Sequence, residues 1–101
     1  MNTFDKIYKV VGKIPKGKVL TYKKVAEISG VKNPRVVGFA LHVNKNPDEI
    51  PCHRVVKANG IIADGYAFGG KTTQIEKLKR ERVYFLDYET VDLNKSLYKN
   101  P

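Results

Sequence analysis

Apolar residues recur every three or four positions near the start of the chain, which is the spacing that one face of an α-helix requires. The pattern predicts an amphipathic helix over residues 3–13, with lysines on its exposed side. The proline and glycine of the segment 15–18 cannot continue a helix, so the prediction ends there. The apolar positions of this stretch are Phe4, Ile7, Tyr8, Val11 and Ile14.

Two further helices are predicted from residues that suit their ends. Thr21 is a good N-cap for the second helix, and Gly30 is suited to end it. Asn33 followed by Pro34 combines a capping side chain with proline at the first helical position, and this third helix is expected to run to about Val43. The residues expected to face the core are Val25, Ala26 and Ile28 in the second helix, and Val36, Val37, Ala40 and Val43 in the third.

The second half of the chain combines turn signals with a final helix. An asparagine–glycine pair in the middle of residues 55–62 predicts a β-hairpin. The glycine-rich segment 63–71 is expected to be irregular. Thr73 and, three positions later, Glu76 form a capping box, so a last helix is expected to begin at Thr73 and to end near Glu81.

Short helices followed by a small hairpin match the plan of a winged helix-turn-helix domain. The expected fold class is therefore mainly α with a small β-hairpin, and the third helix is the candidate reader of nucleic acid. Residues 1–83 are expected to form this domain. The pattern leaves open whether the tail, residues 84–101, packs on the domain or frays.

The composition indicates a single basic domain. The 101 residues include 19 lysines and arginines against 10 acidic residues, which gives a net charge of +9 and a pI near 9.7. A chain of this length supports one modest core. The charge favours a polyanionic partner, nucleic acid first. A solvated lysine-rich surface, as in many thermophilic proteins, is the alternative.

Several classes of protein are excluded on the same grounds. One cysteine cannot form an intramolecular disulfide, and no Cys/His set has zinc spacing, so neither a metal nor a cofactor is expected. No apolar run approaches the ~20 residues of a membrane span, and the N-terminus lacks the apolar core of a signal peptide. We therefore expect no membrane partner and an intracellular location, cytoplasmic at the nucleoid or nuclear in a eukaryote.

The only cysteine of the chain, Cys52, lies directly before one of only two histidines, in the segment Pro51-Cys52-His53-Arg54-Val55-Val56. An imidazole that titrates near neutrality is the usual acceptor for a thiol proton, and the thiolate is the nucleophile. The alternative is a buried, inert cysteine. A Cys–His hydrolase is disfavoured, because nothing in the sequence supplies an obvious oxyanion hole.

Together these motifs point to a family. From Phe4 to Val83 the chain resembles the C-terminal, DNA-binding and active-site domain of the O6-alkylguanine-DNA alkyltransferases. The Pro-Cys-His-Arg segment is highly specific to that family. The matching pieces, in order, are residues 17–22 (GKVLTY), 34–38 (PRVVG) with Asn44, 51–56 (PCHRVV), 65–69 (GYAFG) and a final helix that ends at Glu81.

The resemblance implies a role for each residue that matches the family's catalytic pattern. Cys52 would accept the alkyl group, His53 would act through a bound water as its base, and Glu81 would orient the histidine. Tyr22 would donate a proton or a hydrogen bond to the guanine as it leaves. Asn44 would tie the recognition helix to the active-site turn.

A DNA interface is implied in the same way, with a monomer bound in the minor groove of double-stranded DNA that contains alkylated guanine. Arg35 matches the arginine that enters the duplex and fills the gap left by the extruded base. Gly38 would let the backbone approach the groove, Leu41 would wedge against bases, and His42 completes the DNA-contacting set. The expected wall of the base pocket is formed by Tyr66, Ala67, Gly69 and Val55.

The expected function is DNA repair by direct reversal, in which O6-alkylguanine, such as O6-methylguanine, is flipped from the duplex and its alkyl group passes irreversibly to Cys52. The chain has the length of the alkyltransferase-like proteins, which replace the cysteine, often by tryptophan, and bind lesions without transfer. The retained Cys52 favours transfer. Lesion binding that recruits other repair proteins is the alternative. Two residues depart from the family pattern: Arg82 stands where glycine is common, and Ala67 where a small hydroxyl or an arginine is common.

Overall fold

The computed structural model describes residues 2–101, which form five α-helices and four short strands. The helices are α1 Thr3–Val11, α2 Tyr22–Ser29, α3 Pro34–His42, α4 Gly70–Arg80 and α5 Leu93–Ser96. The strands are β1 Leu20–Thr21, β2 Val55–Val56, β3 Phe85–Asp87 and β4 Thr90–Val91. Cys52–Arg54 forms one turn of 3₁₀-helix. Within residues 2–101 no helix is both long and apolar enough to cross a bilayer.

Side-chain caps begin the first three helices. The Thr21 hydroxyl accepts a hydrogen bond from the Lys24 amide at 3.1 Å, and Asn33 Oδ1 accepts one from the Arg35 amide at 3.0 Å. Gly30 ends α2 in the left-handed conformation, with φ of 75°. The bounds predicted for α2 and α3 therefore hold to within one residue, because these caps satisfy amides that the helices leave without partners.

Helices α1, α2 and α3 pack around one core, but two residues predicted to face it do not. Ile28 and Val43 are 40% and 39% exposed. In α2 the inner position is taken by Ser29, and in α3 by Leu41. The reason is the helical period, since Val37, Ala40 and Leu41 follow the i, i+3, i+4 spacing of one face.

Strand β2 is paired differently from the prediction. It lies parallel to β1, with Leu20 opposite Val55 and Thr21 opposite Val56. The tight turn forms, with the Gly60 amide donating to the Lys57 carbonyl at 2.8 Å and the Lys57 amide to the Ile61 carbonyl at 3.0 Å. Ile61 then bridges Thr90, and residues 61–62 form no strand pair with β2. The hairpin predicted over residues 55–62 is therefore wrong, and the antiparallel hairpin of this fold is β3–β4.

Helix α4 begins three residues before the predicted capping box. Its N-cap is Gly69, and Gly69 and Gly70 have φ values of 123° and 76°. Thr73 therefore lies inside the helix, and no side chain caps α4. A Cβ on Gly69 would lie only 2.5 Å from Thr73 Oγ1, so glycine is required here for space as well as for conformation.

Residues 84–101 pack on the domain through both backbone and side chains. The Val19 amide donates to the Ser96 carbonyl at 2.8 Å, and the Val91 amide donates to the Gly60 carbonyl at 2.8 Å. Val91 belongs to a second buried cluster, separate from the core of the first three helices. Its other buried members are Val19, Val56, Ile62, Ile75, Leu78 and Val83.

Arg82 is the one non-glycine residue within 2–101 that has a positive φ, at 67°. It follows the C-cap of α4, a position that glycine occupies most easily. Since the left-handed backbone costs an ordinary residue about 1 kcal/mol or more, we expect Arg82→Gly to raise the free energy of unfolding by about 0.5–1 kcal/mol. Urea denaturation measures this change.

Arg80→Gly is the matched control, because it removes the same side chain from a helical position. There glycine should lower the free energy of unfolding by up to about 1 kcal/mol. If both variants lose stability alike, the backbone at position 82 is not strained.

Candidate active site

The Cys52 thiol lies on a turn that backbone hydrogen bonds fix before and after the cysteine. The Cys52 amide donates to the Ile50 carbonyl at 2.7 Å, and the Arg54 amide donates to the Pro51 carbonyl at 2.9 Å. Strand β2 follows at once and is paired with β1. Cys52 has a free thiol and is 5% exposed. Its position is therefore set by the backbone of the turn.

Asn44 connects the end of α3 to this turn. Its Nδ2 donates to the Ile50 carbonyl at 3.0 Å, and its Oδ1 accepts from the Asn46 amide at 2.9 Å. The side chain is buried, at 5% exposed. Because both ends of the amide are used within the 44–50 loop, the loop is fixed relative to Cys52.

A carboxylate from the end of α4 reaches the same turn. His53 Nε2 lies 3.1 Å from Glu81 Oε2. Arg54 holds this carboxylate with two hydrogen bonds, from Nε to Oε1 at 2.9 Å and from Nη2 to Oε2 at 2.6 Å, and its Nη1 donates to the Ile14 carbonyl at 2.6 Å. A two-point Arg–carboxylate contact fixes the direction of the oxygens as well as their charge.

Burial and these contacts determine the charges of the pair. Burial by itself would raise the pKa of Glu81, but hydrogen bonds from Arg54 and His53 hold it below its ordinary value. Burial lowers the pKa of His53, and Glu81 opposes this only in part. At neutral pH the histidine is therefore neutral beside an ionised carboxylate. Its second nitrogen, Nδ1, is buried and has no hydrogen-bond partner within the part of the chain that the structure describes.

Burial also raises the pKa of the Cys52 thiol. A hydrogen bond from Asn44, the charge of Lys77 and nearby backbone amides act in the opposite direction, and they do not outweigh it. The thiol is thus mostly protonated at neutral pH and needs a base before it can act as a nucleophile.

Cys52 opens into a cavity of about 30 Å³ whose walls come from separate parts of the chain. Tyr22, at the start of α2, is brought beside it by the β1–β2 pairing. Burial, and then the proximity of Cys52, raise the pKa of Tyr22, so its hydroxyl stays a proton donor. The residues that line the cavity are Tyr22, Gly38, Leu41, His42, Cys52, Gly65, Tyr66, Ala67 and Gln74.

Three sequence-based assignments need correction. Leu41, expected to wedge against bases, is 6% exposed and packs in the core, since it shares the inner face of α3. Val55, expected in the pocket wall, is fully buried in strand β2 and does not line the cavity. Gly69 is also outside the lining, because it serves as the N-cap of α4.

Arg35, Gly38 and His42 lie together on an open groove of about 430 Å³ beside the cavity. Tyr22 is common to the groove and the cavity. A Cβ on Gly38 would meet no atom within 4 Å, so internal packing does not require glycine at that position. The groove thus brings together the predicted DNA-contacting residues other than Leu41.

Two residues that support the site were not assigned a role from the sequence. Arg54 orients Glu81, and the signal for this was its place beside the Cys–His pair. Gln74 is 3% exposed, and its Nε2 donates to the carbonyls of His53 and Val55 at 3.0 and 3.3 Å. A polar residue on the inner face of α4 was the only sequence signal for it. Within residues 2–101, no three His, Cys, Asp or Glu side chains lie close enough together to hold a metal ion.

The chain resembles known proteins over most of its length. Residues 2–83 match the family model described as 6-O-methylguanine DNA methyltransferase, DNA binding domain. A methylated-DNA–protein-cysteine methyltransferase of Saccharolobus solfataricus is 51% identical over 65 residues, which cover 64% of this chain and 41% of that protein. The match thus covers about two fifths of the length of such curated relatives.

Two solved structures extend the comparison. The Schizosaccharomyces pombe protein Atl1, in complex with damaged DNA containing O6-carboxymethylguanine, is 29% identical and superposes with a TM-score of 0.81 over 96% of this chain and 94% of that one. The Mycobacterium tuberculosis O6-methylguanine methyltransferase is 30% identical, with a TM-score of 0.71 over 81% of this chain and 49% of that one. The fold, the Pro-Cys-His-Arg turn and the match over residues 2–83 lead to one conclusion: the chain belongs to the 6-O-methylguanine DNA methyltransferase family, in which it corresponds to the DNA-binding domain.

Proposed function

We propose that this chain repairs DNA by taking an alkyl group from O6 of guanine onto Sγ of its own Cys52, once per molecule. The observation that carries the proposal is a free thiol that faces a cavity, next to a histidine held by a carboxylate. The relatives named as methylated-DNA–protein-cysteine methyltransferases support it.

The proton of the thiol passes to His53 before or during attack. Nδ1 of this histidine is the available acceptor, because Nε2 is already engaged by Glu81. A water between sulfur and Nδ1 would complete the relay that the family resemblance implies. The Glu81 carboxylate stabilises the imidazolium that forms, as an orienting acid does in other nucleophile–base pairs.

The transfer itself is a displacement at carbon. A sulfur–carbon bond forms, the carbon–O6 bond breaks, and the electron pair goes to the guanine. Tyr22, whose raised pKa keeps it protonated, donates a hydrogen bond or a proton to the departing base. The product is a thioether, and since the site contains no group suited to cleave it, one molecule acts once.

The base must leave the duplex to reach the sulfur. A cavity of about 30 Å³ has room for only about two waters, so it has to widen as the base enters. Arg35 is exposed on the neighbouring groove, where its side chain can fill the gap in the stack. Extrusion costs a few kcal/mol and costs least for a poorly paired, damaged base.

Lesion binding without transfer is the alternative, and the curated relatives do not favour it, because they are named as methyltransferases. The likeness to Atl1, solved in complex with damaged DNA, extends over nearly the full length of both chains. Cys52 favours transfer, because the proteins that only bind lesions lack this nucleophile.

We further propose that the protein acts as a monomer, without a membrane partner, at the nucleoid or, in a eukaryote, in the nucleus.

Mass spectrometry of the intact protein tests the transfer directly. After incubation with duplex DNA that contains O6-methylguanine, we expect one added methyl group per chain, located on Cys52. Cys52→Ser should gain no mass yet still bind the lesion, because the hydroxyl is a far weaker nucleophile at this pH. Tight binding with unchanged mass in the wild type would favour the lesion-binding candidate, and repeated turnover would contradict single use.

Glu81→Gln tests the relay. We expect the single-turnover rate to fall by roughly 10²-fold, because the imidazolium loses its stabilising charge. Glu81 raises the pKa of His53, so its loss should move the acidic limb of the pH–rate profile to lower pH. Glu76→Gln, on the exposed side of the same helix, is the control and should leave both rate and profile unchanged. Equal behaviour of the two variants would remove Glu81 from the mechanism.

Arg35→Ala tests the DNA interface. Affinity for lesion-containing duplex should fall, and the slope of log affinity against log salt should become shallower by about one unit, since one fewer cation of the protein displaces counterions from the duplex. Fluorescence anisotropy at several salt concentrations measures both. Arg80→Ala, which removes the same charge from α4, should bind as the wild type does. If it binds as weakly as Arg35→Ala, the loss reflects net charge and not the groove.

A further inference from the structure

Lys77 lies on α4, one turn before Glu81, and its side chain turns toward the site. Its Nζ donates to the hydroxyl of Tyr66 at 2.6 Å. It also forms one wall of an open groove of about 410 Å³ that is lined in part by His53 and Glu81. The ammonium therefore lies between the cavity wall and the relay, and none of the motifs of the sequence analysis includes it.

The contact with Tyr66 is a hydrogen bond at the edge of the ring. The same nitrogen is 5.2 Å from the ring centroid, so the ammonium lies beyond the hydroxyl and not over the aromatic face. The Tyr66 ring also makes an edge-to-face contact with Phe68 and packs against the core of the first three helices, in a loop that has no regular secondary structure. The hydrogen bond from Lys77 fixes the hydroxyl end of this ring to helix α4.

Resting on the transfer function proposed above, we infer that Lys77 is a positioning residue for the reaction. Its ammonium holds the Tyr66 hydroxyl in the wall of the base cavity and thereby places a positive charge behind the wall of the cavity that Cys52 also lines.

The electrostatics of the site agree with this geometry. The positive charge of Lys77 lowers the pKa of both Cys52 and His53, against burial in the first case and along with it in the second. Both effects favour the thiolate beside a neutral imidazole. The other charges that act on the histidine are Glu81, which raises its pKa, and Arg54, which lowers it.

Alkylation of Cys52 by iodoacetamide, without DNA, isolates the electrostatic effect. In Lys77→Met the rate at pH 7 should fall roughly three- to tenfold, which corresponds to a rise of half to one unit in the apparent pKa of the thiol. The pH profile should move to higher pH by that amount. Lys77→Arg should restore the wild-type profile, because it keeps the charge.

Lys79→Met is the matched control. It removes the same charge from the same helix, but its Nζ lies by the rings of Phe85 and Tyr88, away from the cavity. We expect its profile to superpose on that of the wild type. Circular dichroism should show the same thermal unfolding in both methionine variants. If Lys77→Met and Lys79→Met have superposable profiles, the inference is wrong.

Tyr66→Phe separates position from charge. It removes the hydroxyl that Lys77 holds and leaves the ammonium, so the iodoacetamide profile should not change. Transfer from O6-methylguanine DNA should slow, and combining Tyr66→Phe with Lys77→Met should cost less than the product of the single effects, since both break the same contact. Strict multiplication of the two effects would contradict the positioning role. If the wild type transfers nothing at all, the proposed function fails, while the iodoacetamide arm still tests the charge.

Discussion

The Glu81 carboxylate holds the site together. It is gripped at two points by Arg54 and contacts His53, so it ties the end of α4 to the turn that carries the thiol. A buried carboxylate is tolerated only when its oxygens are satisfied. Because Arg54 also donates to the Ile14 carbonyl, the same contact reaches the segment after α1. The group that holds the His53 imidazole thus also joins three separate parts of the chain.

The parallel pairing of β1 with β2 has a comparable effect on geometry. Only two residues from each strand take part, yet these strands adjoin Tyr22 on one side and the Cys52–Arg54 turn on the other. A phenol and a thiol that are 30 positions apart in the sequence are thereby placed in one cavity. The buried amide of Gln74 secures the second strand from α4, since it binds the carbonyls at its start.

Much of the fold could be predicted from local signals. The caps Thr21 and Asn33 and the glycine at position 30 predicted two helices almost to the residue, because a cap acts over three or four positions. The prediction of a hairpin over residues 55–62 was wrong because an asparagine–glycine pair favours a turn but does not determine which strand pairs with which. The partner of β2 is β1, which is more than 30 residues away in the sequence. The start of α4 was missed for a local reason. Two consecutive glycines with positive φ stand at the start of the helix in place of the usual capping side chain, and the sequence pattern for such a start was not recognised.

For the candidate site, the motif located the thiol and the imidazole, but residue types alone did not predict their surroundings. The segment 51–56 pointed to Cys52 and His53. That the thiol is nearly buried, as an inert cysteine would be, and still faces a cavity follows only from the packing of α3 and the 65–67 loop against it. Leu41 illustrates the same limit. Its place on α3 suggested contact with DNA, but the helical period puts its side chain on the inner face of the helix, in the core.

The C-terminal segment has a practical consequence for anyone who works with this domain. The family match ends at residue 83, and a fragment cut there would retain every residue of the candidate site. It would also uncover Val19 and Val56 and leave the Gly60 carbonyl without its donor. Val56 is the second residue of the strand that follows the cysteine turn. Fragments designed from the motif boundaries alone would therefore weaken the packing behind the turn that carries Cys52, although no residue of the candidate site had been removed.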